Sequence, residues 1–207
     1  MEIIPVKYAE SVLPESEIFN GGDKNRVRPI VFNLYLIKTK GHIILVDAGC
    51  DTMPGFDMKN FIGPVKALEK INISPADISD VAITHAHHDH IESIKYFENS
   101  LIHIQREEFK LGEKYIPSNF RVNTFDSEFL ICPGVRIVKI GGHTKGSCIV
   151  EIKSNDKTYI IAGDECYLGE CLEKKIPTGY SICPAKSKEF IEKYSDSKYT
   201  VLLCHDE

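Results

Sequence analysis

The chain has 207 residues, 43% of them hydrophobic and 27% charged, with a formal net charge of −5. That is enough apolar content to core a single soluble globular domain spanning residues 1–207, while no apolar run approaches bilayer length and the start around Pro5 lacks the basic-then-apolar order of a signal peptide. Lysine and arginine are scattered rather than gathered into a stripe that a phosphate backbone would need, so neither a membrane nor a nucleic acid is expected as the main partner.

Ile3 to Tyr8 reads as a short strand, and Ser11 to Arg28, with Pro14, Gly21, Gly22 and Asp23, as a long loop placed to cap a cleft or reach a second subunit. Val31 to Ile37 and Ile43 to Val46, joined at Lys40-Gly41, predict an antiparallel hairpin that ends in Asp47-Ala48-Gly49. Gly63 to Ile71 carries Val65, Leu68 and Ile71 at helical spacing, with Pro64 suited to a helix start. Val81 to Thr84 is a buried strand running into His85-Ala86-His87-His88-Asp89-His90, after which Ile91, Ile94 and Phe97 form the apolar face of another helix.

Further strands are expected near Leu101 to Ile104, Val135 to Ile140, Ser147 to Ile152 and Tyr159 to Ala162, with the turn Asn155-Asp156-Lys157 between the last two, as a second antiparallel meander. Lys186 to Tyr194 reads as a helix, and Val201 to Cys204 as a last strand delivering His205. No repeat, low-complexity tract or linker divides the chain. Two sheets packed face to face with helices outside, an αββα sandwich of the α+β class, is the architecture this pattern predicts.

The seven cysteines, Cys50, Cys132, Cys148, Cys166, Cys171, Cys183 and Cys204, form no CxxC pair and are odd in number. They are expected as reduced thiols in a cytoplasm, most of them filling small buried spaces.

Chemistry concentrates in the histidine cluster. His85, His87, Asp89 and His90 place four potential metal ligands within six residues, and one ion cannot readily use all four. His85 and His87 alternate as an extended segment presents them, whereas Asp89 and His90 stand where a helix begins, so the spacing implies a pair of sites. Ligands from later loops must complete the pair, and His143, Asp164 and His205 each follow an apolar strand. Asp47 and Gly49 are open to two readings, an ordinary turn or a role in orienting a metal-bound imidazole. His42 and His103 match nothing in the motif and are expected to be structural.

The HxHxDH run from His85 to His90, followed in order by His143, Asp164 and His205, and preceded by Leu45-Val46-Asp47-Ala48-Gly49, resembles the metallo-β-lactamase superfamily over nearly the whole chain. The resemblance implies the αββα fold, with His85, His87 and His143 on one divalent metal, Asp89, His90 and His205 on the other, and Asp164 bridging the two. Zinc is the expected ion, with iron or manganese as alternatives for the same donors. Two such cations bring the pKa of a shared water from about 15.7 to near 7, which provides a bridging hydroxide to attack a carbonyl, and they offset most of the chain's negative charge at the cleft.

Tyr167, three residues past Asp164, and Leu203-Cys204-His205-Asp206 look like the N-acyl homoserine lactonases within this superfamily. That likeness implies a small-molecule lactone or ester as substrate, Tyr167 as the donor to the oxyanion, and Asp89 as the proton source for the departing alkoxide. An ordinary half-buried tyrosine is the competing reading of Tyr167, and His88 is either a substrate contact or a loop-packing residue. The rival functions are a glyoxalase II-like thioester hydrolase, a phosphodiesterase or nuclease, a flavodiiron-type oxidoreductase and a non-hydrolytic metal protein. Glyoxalase II-like and nuclease activities call for basic surface that is not evident, and the flavodiiron type carries glutamate where His87 stands.

Overall fold

The computed structural model describes residues 1–155 and 157–207. Strand alternation organises it. Along β2 (Val27–Thr39) and β3 (His42–Val46), Tyr35, Ile37, Ile44 and Val46 face one way, while Leu34, Leu36 and Leu45 face the other, as a period of two requires. The first set meets Val135, Ile137, Val150, Ile152 and Ile161 of the second half in a buried layer between two sheets. The opposite face of the first sheet packs on Ala67, Leu68, Ile91, Ile94 and Phe97, and that of the second on Phe190, Ile191 and Tyr194. The result is helices, sheet, sheet and helices, the expected αββα sandwich.

The first sheet has six strands in chain order: β1 (Glu2–Pro14), β2, β3, β4 (Asp80–Ile83), β5 (Leu101–Gln105) and β6 (Arg121–Phe125). β1 to β3 pair antiparallel and β3 to β6 parallel. The second sheet runs β11 (Tyr199–Leu202), β10 (Lys157–Ile161), β9 (Cys148–Ser154), β8 (Val135–Lys139), β7 (Glu128–Cys132), with only the β10–β11 pair parallel. Leu101 to Ile104 therefore belongs to the first sheet as a parallel strand, not to the second meander. The expected turn at Asn155-Asp156-Lys157 includes Asp156, which lies outside the described residues.

The expected loop from Ser11 to Arg28 is shorter in the structure, because 11–14 and 27–28 are paired strand and 15–18 are helical, leaving 19–26 as turn and loop. β1 continues to Pro14, a single helical turn α1 (Glu15–Ile18) follows, and β2 already starts at Val27, paired with Pro14. Polar and breaker residues suggested a loop, but cross-strand pairing satisfies the main chain whatever the side chains are. Elsewhere α2 (Pro64–Glu69) starts as expected behind Gly63, whose φ of +76° suits glycine. The helix expected after the histidine cluster is one turn, α3 (His88–Ile91), continuing as a 3₁₀ turn through Tyr96, with Ile91, Ile94 and Phe97 fully buried. α4 (Arg106–Gly112) and α5 (Gly169–Lys174) were not anticipated, and α6 (Pro184–Tyr194) starts two residues before the expected Lys186.

Candidate metal centre

Every candidate ligand follows a strand of one sheet or the other. His85 to His90 follow β4 of the first sheet, His143 follows β8, Asp164 follows β10 and His205 follows β11. The seven converge in two groups, His85, His87, His143 and Asp164 in one and Asp89, His90 and His205 in the other, with the ligand atoms of each group all within 4.8 Å of one another. His87 has the extended backbone of a helix N-cap (φ −69°, ψ 153°) and His88 opens α3, which separates the His85/His87 pair from Asp89 and His90.

Hydrogen bonds fix which nitrogen of each ring faces inward. Thr84 Oγ1 donates to Asp47 Oδ2 at 2.8 Å, so it accepts from Nδ1 of His85, 3.1 Å away. His143 Nδ1 donates to the Tyr180 carbonyl at 2.7 Å, His90 Nδ1 to Asp47 Oδ2 at 2.8 Å and His205 Nδ1 to the Val31 carbonyl at 3.0 Å. Four Nε2 atoms are thereby turned to the centre, the pattern a metal-binding imidazole shows. His87 contributes Nδ1 instead, 3.0 Å from His85 Nε2 and 2.9 Å from His143 Nε2.

Two observations show that these donors suit cations. His90 Nε2 is buried with no hydrogen-bond partner, although Asp164 Oδ1 stands 3.0 Å away. Tetrahedral ligands at zinc distances lie roughly 3.4 Å apart, and the contacts in the first group are 2.9, 3.0, 3.4 and 3.6 Å. Electrostatics agrees. Burial pushes the His85 and His143 imidazoles down, His143 to about 4, so both stand neutral with a lone pair to give. Burial opposes the charge of Asp164, yet the imidazoles around it, His90 and His205 foremost, outweigh it and hold the carboxyl well below its usual range. Burial likewise opposes charge on His90 and His205, and Asp164 overrides it in both. The centre draws positive charge.

Three further carboxylates hold the ligand loops. Asp47, at φ +62°, accepts Thr84 N (2.7 Å), the Thr84 hydroxyl and His90 Nδ1, which decides between the two readings of that residue in favour of orienting an imidazole. Glu108 of α4, fully buried, accepts Ala86 N at 2.9 Å, Gly146 N at 2.8 Å and the Thr144 hydroxyl at 2.6 Å, tying the loop after β4 to the loop after β8. Glu165 takes Gly142 N, His143 N and the Ser147 hydroxyl on one oxygen, and burial pushes it up to about 7. A Cβ on Gly142 would stand 2.4 Å from Glu165 Oε2, so this close approach requires glycine. Sequence reading missed Glu108, because a charged run such as Arg106-Glu107-Glu108 looks like a solvated helix face.

A cavity of about 290 Å³ opens over the centre, lined among others by His87, Asp89, Asp164 and His205 together with Ile30, Phe32, Phe56 and Glu17. Tyr167 is in its wall, buried, stacked on His205 at 5.0 Å and donating to Asp164 Oδ2 at 2.9 Å. His88 also lines it, with Nε2 3.0 Å from the Thr52 hydroxyl. His42 and His103 are elsewhere, one on each oxygen of Asp80 at 2.8 Å, a structural pairing as expected.

Fold and site together define a metallo-hydrolase. The chain belongs to the metallo-beta-lactamase superfamily, which its residues 29–189 match. It is 30% identical over 150 residues to a probable metallo-hydrolase of Methanocaldococcus jannaschii, covering 72% of this chain and 66% of that protein. It is 24% identical to an N-acyl homoserine lactonase of Agrobacterium fabrum over 88% of this chain and 82% of the relative. Among solved structures, an N-acyl homoserine lactone hydrolase superposes with a TM-score of 0.85 at 20% identity, covering 99% of this chain and 91% of its own.

Proposed function

We propose that the chain is a dinuclear metal-dependent hydrolase, with zinc as its ion, that opens lactones or related esters of small molecules. Asp164 carries this reading. Its Oδ1 lies 3.0 Å from both His90 Nε2 and His205 Nε2, while Oδ2 faces His143 and His85 at 3.4 and 3.6 Å, so one carboxylate serves both groups. Two divalent ions held there would supply Lewis acidity for a carbonyl oxygen and an acidified water as nucleophile.

The chain's own residues then divide the remaining work. Asp47 keeps His90 in one orientation. Tyr167, whose hydroxyl donates to Asp164 Oδ2, transfers that hydrogen bond to the oxyanion when substrate binds, and Asp89, a cavity residue of the second group, takes the proton released by the attacking water and returns it to the leaving alkoxide. Ile30, Phe32 and Phe56 give the substrate an apolar wall, and His88 is a contact on the rim. The seven thiols are free, six of them buried, which fits a reducing compartment such as the cytoplasm.

The test is metal analysis of the purified protein together with hydrolysis of short- and long-chain N-acyl homoserine lactones, beside Asp164→Ala. Two ions per chain and a chain-length-selective turnover, both lost in the variant, are expected. Unchanged metal content and turnover in Asp164→Ala would sink the mechanism. Faster hydrolysis of S-lactoylglutathione than of any lactone would move the assignment to thioesters, although among the described residues no lysine or arginine lines the cavity to meet glutathione's carboxylates.

A further inference from the structure

The cavity contains three carboxylates, and Asp89 and Asp164 belong to the two metal-ligand groups. Glu17 is the third, and nothing described above uses it. Its place is fixed by its backbone, because Tyr180 N donates to the Glu17 carbonyl at 2.8 Å and Asn20 N to the Pro177 carbonyl at 2.9 Å, pinning α1 against residues 177–180. The cations nearby are committed to other acids: Arg28 stands 2.8 Å from Glu170 and 3.5 Å from Glu15, Arg26 is 3.5 Å from Glu15, and Lys174 pairs with Glu170.

Among the described residues the Glu17 carboxylate has no ion-pair or hydrogen-bond partner, and it is half-buried in the cavity wall. It shares the wall of one cavity with Asp89, Asp164 and Tyr167. A partly desolvated carboxylate facing a cavity without a cation is complementary to a donor brought by the ligand.

On the reading that this cavity admits a carbonyl substrate, we propose that Glu17 forms a subsite for an N–H donor, so that the preferred lactones or esters carry an amino or amide nitrogen beside the scissile carbonyl. Ile30, Phe32 and Phe56 take the apolar remainder, and anionic substituents at that position are repelled.

Three lactones separate the sources of the donor: γ-butyrolactone without nitrogen, homoserine lactone with an ammonium group and N-butyryl homoserine lactone with an amide. Each is assayed with zinc-loaded wild type, Glu17→Gln and Glu17→Leu, and each ratio of kcat/KM is taken against γ-butyrolactone. Glu17→Gln keeps an acceptor but loses the charge, so the ratio for the ammonium substrate is expected to fall about 10- to 100-fold through KM, and that for the amide only a few-fold. Glu17→Leu is expected to lower both ratios. Ratios unchanged in both variants would overturn the proposal.

Ligand-observed NMR of the same lactones reads the subsite without turnover. A nitrogen-dependent affinity present in wild type and lost in Glu17→Leu supports it, and its absence in wild type overturns it. Failure of the lactonase reading shows separately, as a metal-loaded protein that hydrolyses none of the three lactones.

Discussion

Replacing Asp47 by alanine strands three donors at once, Thr84 N, the Thr84 hydroxyl and His90 Nδ1. Loss of an outer carboxylate that orients an imidazole costs about 10- to 100-fold in metal affinity. Chelator competition on Asp47→Ala should show that loss while far-ultraviolet circular dichroism stays near wild type. Asp80 plays the contrasting part, a buried acid far from the ligands. Burial opposes its charge, but hydrogen bonds from His103, His42 and Ser79 outweigh this and bring it down to about 2. The unfolded carboxyl, with a pKa of about 3.9, takes up its proton first on acidification, so the stabilisation is complete above about pH 5 and disappears as pH falls through 4 toward 2. It amounts to about 2 kcal/mol, and urea unfolding between pH 6 and 2.5 should show that slope in wild type and its loss in Asp80→Asn. The convergence of the seven candidate ligands was legible in the chain because the run His85 to His90 follows the apolar strand β4, and His143, Asp164 and His205 each follow a later apolar strand. Glu108 was not, because nothing local to a charged helix reports that one of its acids is turned inward.

The same contrast holds between elements. Continuous apolar, β-branched runs mark β2, β3, β4 and β9, but such a run names a strand and not its neighbour, and so Leu101 to Ile104 was placed in the wrong sheet. β6 and β7 have half-exposed, mixed sequences whose pairing comes from the strands beside them. The extension of β1 to Pro14 escaped notice for a similar reason, since its polar stretch is defined by the twelve-position ladder with β2. Glu108 ties α4 to the loops of the centre from the buried side. Glu108→Ala leaves Ala86 N, Gly146 N and the Thr144 hydroxyl buried without an acceptor, and is expected to cost about 2–4 kcal/mol in chemical denaturation, with weakened metal binding. Glu108→Gln, which can still accept two of the three, should recover part of both.

At the scale of the whole molecule, each ligand group draws on both sheets: the loop after β4 belongs to the first, and the loops after β8, β10 and β11 belong to the second. β2 closes the same seam with Val31 N and Asn33 N donating to the carbonyls of His205 and Cys204 at 3.2 and 2.8 Å. Ions bound across that seam stabilise by mass action, about 2.7 kcal/mol for each held at a hundredfold over its Kd. Stripping them with a chelator should therefore lower Tm by about 5–10 °C per ion in differential scanning calorimetry, reversibly on adding zinc back. Inside a cell that linkage would turn the seam into a quality check. Chains made when metal is scarce would open more often between their two layers and present the intervening apolar strands to proteases, so the standing amount of this protein would follow the metal supply under which it was synthesised.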